Sequence, residues 1–516
     1  MVNNLIISGF GVIGTEVLYQ IVKNNNKKKL NIIILERNFS NFPGGIAYSK
    51  LNSKFGFFNN PLRLSNYDFQ KWVKKSENQI KLIKYFKSNT DLNLKKWLKK
   101  NLLKNLDKFK NVNEIYLPRL TYSFFLQEKF FKTLKILKLR KFIKINFYEN
   151  ELIKVSKLSD NKGYQCTLGE NLKKKEIFVK NDKIIIKNSI EKTQKNLKTK
   201  SLILGIGVLP PSNINSKITF KNKNYIHDFY ATGSTNNLIN KLKTKNNLKK
   251  ISLVFIGNKA GLLETVQEIE NLENKFLKKL KIITISSSKM TLEKAELSKN
   301  YKNYKFKYLI KPNILKIKKS YEILSLIKFE FKNGIKFKYN KYDIWTLILK
   351  KNILNRCFKN LSLKEKKIYN NEVFTKLRNL TRYTYPETVE AKKRLERLKI
   401  LKDLNDKVFE LRKIKNKILI KTIKSKNILA DIVVNVSGPV SLFKNNREVP
   451  CIESLKKICP KYNERGFISD NNYQIADKIY APGTLSSNFN PQRKTIIKSI
   501  TENCKKTSLS YLKSLK

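Results

Sequence analysis

The residues best equipped to do chemistry stand at the start of the chain. Gly9-Phe10-Gly11-Val12-Ile13-Gly14 follows an apolar run, Leu5-Ile6-Ile7-Ser8, and precedes a helical pattern with Val17, Leu18, Ile21 and Val22 on one face. A second apolar run, Ile32-Ile33-Ile34-Leu35, ends on Glu36. The spacing is that of a strand, turn, helix and strand built to hold a dinucleotide. Gly9 allows the tight turn, Gly11 lets a pyrophosphate approach the backbone, and Gly14 lets helix and strand pack closely. The helix N-terminus attracts phosphate, and Glu36 is placed to accept hydrogen bonds from an adenosine ribose.

Other chemistries are excluded. The chain has one histidine, His227, in Ile226-His227-Asp228-Phe229. Two-histidine zinc sites and HExxH helices therefore cannot exist, and His227 itself reads as a loop residue. The five cysteines, Cys166, Cys357, Cys451, Cys459 and Cys504, show no CxxC pair, so no metal is expected; an odd, scattered set suits a reducing compartment. If the protein is an enzyme, a cofactor carries the hard chemistry.

The elements that must position these residues follow in order. At 516 residues and 41% hydrophobic content, the chain can bury a large core and hold more than one domain. Beyond Glu36 lies a turn-rich segment, Asn41–Tyr48, then Phe57–Ser65. From Phe69 to about Lys110 the pattern is helical and basic, with Trp72 and Trp97 as core anchors. Pro118-Arg119 introduces another helix; Arg119 reads either as half of a surface ion pair or as a holder of phosphate or an anionic substrate. Short strand candidates at Ile143–Tyr148, Tyr164–Leu168 and Lys183–Ile186 read as a β-meander. It ends in a buried strand, Ser201–Leu204, that runs into Gly205-Ile206-Gly207. A second strand-turn-helix starts at Ile251 and enters Gly257-Asn258-Lys259-Ala260-Gly261; the following strand, Leu280–Ile285, ends in Ser286-Ser287-Ser288-Lys289. Gly257, Gly261, Ser288 and Lys289 could bind NADP, the serines and lysine suiting a ribose 2′-phosphate, or the unit is structural with no ligand. The stretch from about 350 to 411 looks mostly helical. Strands return at Ile428–Val436 and Ile479–Tyr480, and a final helix begins near Asn490.

The formal charge of +68 would usually suggest nucleic acid or an anionic surface. The excess is nearly all lysine, spread along the whole length with inflated asparagine and isoleucine, which fits an AT-rich codon bias better than a nucleic-acid reader, although the charge does not exclude nucleic acid. No apolar run is long enough to span a bilayer. The N-terminus lacks a basic leader, and the expectation is a cytoplasmic protein without a membrane span.

This order of parts resembles the two-dinucleotide-domain flavoproteins, and more closely the bacterial FAD-NAD(P)-binding family of YdhS-like proteins, distant relatives of the flavin-dependent N-hydroxylating monooxygenases. The resemblance rests on Gly9–Gly14, Gly45-Ile46-Ala47-Tyr48, Asn59-Asn60-Pro61 with Ser65, and Pro118-Arg119 with Tyr122. It continues through Gly205-Ile206-Gly207, Phe255-Ile256-Gly257, Asn435-Val436-Ser437-Gly438-Pro439 and Ala481-Pro482-Gly483-Thr484-Leu485. It implies an α/β fold: a Rossmann-like FAD domain with helical insertion (about 66–140) and meander (about 142–187) over 1–210, an inserted second Rossmann-like domain with a helical segment over 211–427, and a return to the first over 428–516. It implies FAD with its ADP half held by Gly9, Gly11, Gly14 and Glu36, with Gly45, Asn59, Pro61 and Ser65 towards the flavin and Gly483 closing the site; Arg119, Gly205 and Gly207 are further candidate cofactor-binding residues. Asn59 and Ser65 read equally well as caps of a turn and helix. Lys259 departs from the family's second glycine motif, so NADPH binding stays open. The function implied is FAD-dependent oxidoreduction, driven by NAD(P)H, on an unknown small molecule, with monooxygenation suggested by the distant relatives. A non-catalytic flavin-binding sensor or scaffold and an RNA-associated flavoprotein are the alternatives.

Overall fold

The computed structural model describes residues 4–49, 51, 56–103, 106–160, 162–170, 173–180, 183–189, 195–207, 211, 213–214, 220–231, 233–258, 260–287, 292–438, 449–463, 466–487 and 496–515. Strand β1 (Leu5–Ser8) leads into helix α1 (Val12–Asn24) and strand β2 (Leu30–Glu36). Both strands are mainly apolar because the sheet they share is covered on both faces. Leu5, Ile7, Ile32 and Ile34 point to α1 and its neighbours, whereas Ile6, Ile33 and Leu35 point to the opposite core.

After β2 come a short helical turn, α2 (Gly45–Tyr48), and three amphipathic helices, α3 (Tyr67–Lys74), α4 (Ser76–Lys87) and α5 (Leu92–Asn101). Asn66 caps α3 by accepting the Phe69 N–H (2.8 Å), and Asp91 caps α5 by accepting the Leu94 N–H (2.8 Å). Trp72 and Trp97 are buried with Phe69, Phe86 and Tyr122, as their anchoring role required. The long helix α6 (Leu120–Leu139) then crosses behind α1.

The next strands do not form a single meander. Strand β3 (Ile143–Glu149) runs parallel to β2 in the main sheet. Strands β4 (Leu152–Lys157), β5 (Tyr164–Leu168) and β8 (Asn196–Thr199) make a separate antiparallel layer on the main sheet's second face. Strands β6 (Lys173–Lys180) and β7 (Lys183–Asn188) form a hairpin on the main sheet's edge. Strand β9 (Leu202–Leu204) pairs in parallel with β1.

The second unit has its own parallel sheet. Strand β10 (Tyr225–Ile226), strand β11 (Ile251–Ile256), helix α7 (Ser234–Thr244) between them, helix α8 (Ala260–Glu270) and strand β12 (Leu280–Ser286) repeat the first unit's plan. Helices between 311 and 380 enclose a core of their own, and helix α9 (Pro386–Arg397) follows, packed on α8. The helical stretch thus starts earlier and stops sooner than its composition suggested. Strands β13 (Leu401–Asn405) and β14 (Val408–Ile414) already follow, β13 on the edge of the second sheet and β14 with β15 (Lys417–Thr422) and β16 (Asn427–Ala430) in a three-stranded layer.

Strand β17 (Ile432–Asn435) lies between β10 and β11. Residues 428–435 therefore belong with the second unit, and the return to the first lies beyond them. That return comprises the helix Cys451–Ile458, packed on β4, then strands β18 (Gln474–Ala476) and β19 (Ile479–Tyr480), which extend the main sheet to the order β18-β19-β9-β1-β2-β3-β6-β7. Helix α10 (Ile496–Lys513) closes the chain against α1; its expected start near Asn490, like Pro439, lies outside the described residues.

Candidate functional site

The glycine turn after β1 is set by close backbone approach. Gly9 has φ +93°, and a Cβ there would stand 2.7 Å from the Gly205 carbonyl oxygen. A Cβ on Gly205 would in turn meet the Gly9 oxygen at 2.5 Å, so β9 and the turn touch where only hydrogen fits. Gly14 faces the same turn, its would-be Cβ 2.4 Å from the Gly9 oxygen, which lets α1 lie against β1. Gly11 differs: its nearest neighbour would be the Gly45 Cα at 3.2 Å. Gly11 is the N-cap of α1, and no side chain caps that helix. The helix end is left to a ligand or to water.

Glu36 sits at the carboxyl end of β2, as the spacing required. Its Oε2 accepts the Phe10 N–H (2.8 Å) and its Oε1 the Asn38 N–H (3.1 Å). Each carboxylate oxygen keeps a lone pair for a further donor. Burial pushes the Glu36 carboxyl above the ordinary range, opposed by the two amide donors.

Beyond Gly45 opens a pocket of about 190 Å³. Asn59, Pro61, Ser65 and Arg119 all line it, together with Tyr48 and Ile497. The residues grouped by resemblance are thus brought together, Gly45 by its contact with Gly11. Two of these side chains have hydrogen-bond partners within the protein. Ser65 donates its hydroxyl hydrogen to the Leu62 carbonyl (2.6 Å), while Asn66, not Ser65, caps α3. Asn59 Oδ1 accepts from the Thr384 hydroxyl (3.1 Å). Gly483 lies against α1, its would-be Cβ 2.3 Å from Ile13 Cδ1. Gly207 has open space around it, and its carbonyl accepts from the Thr484 hydroxyl (3.1 Å).

Arg119 does not pair with a surface carboxylate. Its guanidinium grips Glu264 of α8 through both terminal nitrogens, one at 3.2 Å, and its Nε donates to the Phe57 carbonyl (3.2 Å). The two side chains are 21% and 14% exposed, so this is a largely buried bidentate pair. Burial pulls the guanidinium down, but the facing carboxylate outweighs it and holds Arg119 above its ordinary value. Asn93 and Lys96 of α5 reach Glu268 and Asn271 farther along the same segment. The pocket beyond Gly45 and helix α8 of the second unit are stitched along one seam. Nothing in the sequence pairs Arg119 with Glu264, which are 145 residues apart.

The second glycine turn copies the first. Gly257 has φ +104°, and a Cβ there would stand 2.6 Å from Ser437 Cα, the counterpart of the Gly9–Gly205 contact. The Gly257 N–H donates to Ile285 O at 2.8 Å, just as Gly9 N–H donates to Leu35 O at 2.8 Å. The copy then diverges. Leu262, fully buried, takes the place of Gly14, and Gly261 packs under the Phe229 ring and Tyr230 hydroxyl. Lys259, Ser288 and Lys289 lie outside the described residues. His227 sits 3.3 Å from the Tyr225 hydroxyl, away from the pocket lining.

With this geometry in hand, the comparisons with known proteins are direct. The model of the FAD-NAD(P)-binding family matches residues 6–179. No curated protein matches the chain. Among solved structures, the ornithine N-hydroxylase of Kutzneria sp. 744 is similar over 100% of both chains, with TM-score 0.55 and 9% identity. The L-lysine 6-monooxygenase of Pseudomonas syringae is similar over 100% of both chains, with TM-score 0.53 and 10% identity. The similarity to the FAD-NAD(P)-binding family thus covers residues 6–179, in a chain with the two-dinucleotide-domain flavoprotein fold.

Proposed function

We propose that the protein is an FAD-dependent oxidoreductase, driven by a reduced nicotinamide dinucleotide and acting on a small molecule. One observation carries the reading. The uncapped start of α1, the glycines that approach it, the Glu36 carboxylate and the pocket beyond Gly45 follow one another in the order that a dinucleotide ending in a ring would need. Gly11 tests the fit, since a Cβ there would project between the helix end and Gly45.

FAD bound there would supply the two-electron chemistry that the side chains lack. The protein's residues bind and orient. The α1 amides would take the pyrophosphate, Glu36 would accept from the ribose, and Asn59, Pro61, Ser65 and Arg119 would border the ring. The apolar walls, Phe58, Phe69, Leu62 and Leu117 among them, would shield the ring from water. The second glycine turn, with Gly257 and Gly261, is the place for the reduced donor, and Ser288 and Lys289 remain the proposed 2′-phosphate contacts. The ornithine N-hydroxylase structure carries reduced FAD, NADP+ and L-ornithine, which supports a similar pairing of cofactors here. Among the described residues no helix is long and apolar enough to cross a membrane. The cytoplasmic expectation and the small-molecule partner belong to this proposal.

The test is a visible absorption spectrum of the purified protein, with FAD added if needed, during anaerobic addition of NADPH. A yellow protein that bleaches promptly supports the reading. A yellow protein that stays oxidised points to the sensor alternative, and a colourless one that refuses FAD overturns the proposal.

A further inference from the structure

The pocket beyond Gly45 holds one full charge among its lining residues, Arg119, and that charge is spent. Glu264 takes the edge made by both terminal nitrogens and the Phe57 carbonyl takes Nε, so three of the five N–H donors are engaged and the charge is paired within the protein. The Ser65 hydroxyl is committed to Leu62 O, and the Asn59 carbonyl oxygen to Thr384. Tyr48 is different. It lines the pocket, its ring is held by Phe58 (5.9 Å between centroids) and Tyr122 (4.9 Å), and its hydroxyl makes no hydrogen bond to any described residue. It also lies three residues beyond Gly45, whose backbone meets Gly11 at the start of α1. The position is therefore rigid and adjacent to the phosphate end of the site.

Resting on the flavoprotein reading above, we propose that Tyr48 is the hydrogen-bond donor this pocket presents to the flavin ring, a role from which Glu264 withdraws Arg119. The chemistry follows from the phenol. Burial pushes it up to about 12, against the pull of Arg119, so it keeps its proton throughout the neutral range and acts as a donor rather than a base. Bound FAD would take a hydride from a reduced nicotinamide, which would leave oxidised, and negative charge would grow on the ring's carbonyl side. A fixed neutral donor stabilises that charge without giving up a proton. Asn60, also on the lining, offers a second neutral group. A pocket so furnished accepts an uncharged, flat, hydrogen-bond-accepting ring, and a free anion gains nothing there.

The experiment compares wild type with Tyr48→Phe and Arg119→Lys in the full chain, each reconstituted with FAD. Resonance Raman of the wild-type complex reads the flavin carbonyl stretches, which a hydrogen bond lowers. Fluorescence quenching reads the FAD dissociation constant, and dye equilibration the reduction potential. The expected results are lowered carbonyl stretches in wild type and their recovery in Tyr48→Phe. That variant should also show a more negative potential, with the FAD dissociation constant raised by roughly tenfold or less, the scale of one neutral hydrogen bond. Arg119→Lys should leave the carbonyl stretches where they are. Unlowered stretches in wild type overturn the proposal even if Tyr48→Phe fails to fold. So does a folded Tyr48→Phe with wild-type stretches and potential, or a shift produced by Arg119→Lys instead. A wild-type protein that takes up no FAD overturns the flavoprotein reading and this proposal with it, which is a visibly different failure.

Discussion

Substituting alanine at Gly11 and at Gly14 separates a glycine needed by the fold from one needed by a ligand. At Gly14 the new methyl would stand 2.4 Å from the Gly9 carbonyl oxygen and 2.8 Å from Phe10 Cδ2. Backbone on one side and a packed ring on the other leave no cheap escape, so α1 must move from β1. Overpacking of this kind costs about 1–3 kcal/mol. At Gly11 the nearest atom would be Gly45 Cα at 3.2 Å, and a shift of a few tenths of an ångström relieves it. The apoprotein should then lose well under about 1 kcal/mol, on the scale of ordinary tolerated substitutions. For the cofactor the order reverses. A methyl at the N-cap of α1 keeps the pyrophosphate from the helix amides, and each charge-assisted bond lost is worth about 1.5–3 kcal/mol. Losing two weakens FAD by roughly 10²- to 10⁴-fold. Differential scanning fluorimetry of the apoproteins and fluorescence quenching with FAD measure the two effects. The reasoning fails if Gly11→Ala binds FAD like wild type, or if its melting temperature falls as far as that of Gly14→Ala.

Removing either half of the Arg119–Glu264 pair alone leaves a largely buried charge, so Arg119→Gln and Glu264→Gln should each cost about 3–5 kcal/mol and the double substitution less than their sum; additive melting shifts would contradict the buried-pair reading. Burial raises the folded Glu36 carboxyl, so its contribution to apoprotein stability is full below the unfolded value, near pH 4, and is lost as pH rises through the folded one. Glu36→Gln should flatten that segment of a melting-temperature profile against pH, and an unchanged slope would remove Glu36 as its source. All five thiols are buried, with Cys166, Cys451 and Cys459 pushed up to about 12 and Cys357 to about 11. A thiol-reactive dye at neutral pH should therefore label none of them until the protein is denatured, and prompt labelling of the folded protein would contradict their placement.

The first unit was legible because its signals are local. A short, mainly apolar strand, a glycine turn and an acid at the next strand's end all fall within Leu5–Glu36, and close approach dictates Gly9 and Gly14. The pocket was legible only as a set of motif positions. That Asn59, Pro61, Ser65 and Arg119 share one cavity depends on α3, α6 and α10 packing around it. Arg119 shows where reading the chain stops: the partner that decides its role lies in another unit, and no spacing rule reaches it. The strands after β3 were misjudged for a related reason. Short alternating runs announce strands but not their neighbours, so a parallel strand, a separate layer and an edge hairpin all read as one meander. Residues 428–435 were assigned to the return because a buried strand leading into glycine suits either sheet, and only pairing with β11 decides it.

The seam between α5 and α8 carries a consequence for the tempo of turnover. Bonds from Asn93, Lys96 and Arg119 hold one face of the second unit at three successive turns. These bonds predict a unit that acts as a wall rather than a swinging arm, so that large-scale friction with the solvent would have little to act on during turnover. A donor would approach a reaction centre already assembled, and thickening the medium with a viscogen would slow its diffusion while leaving the speed of the bound complex alone.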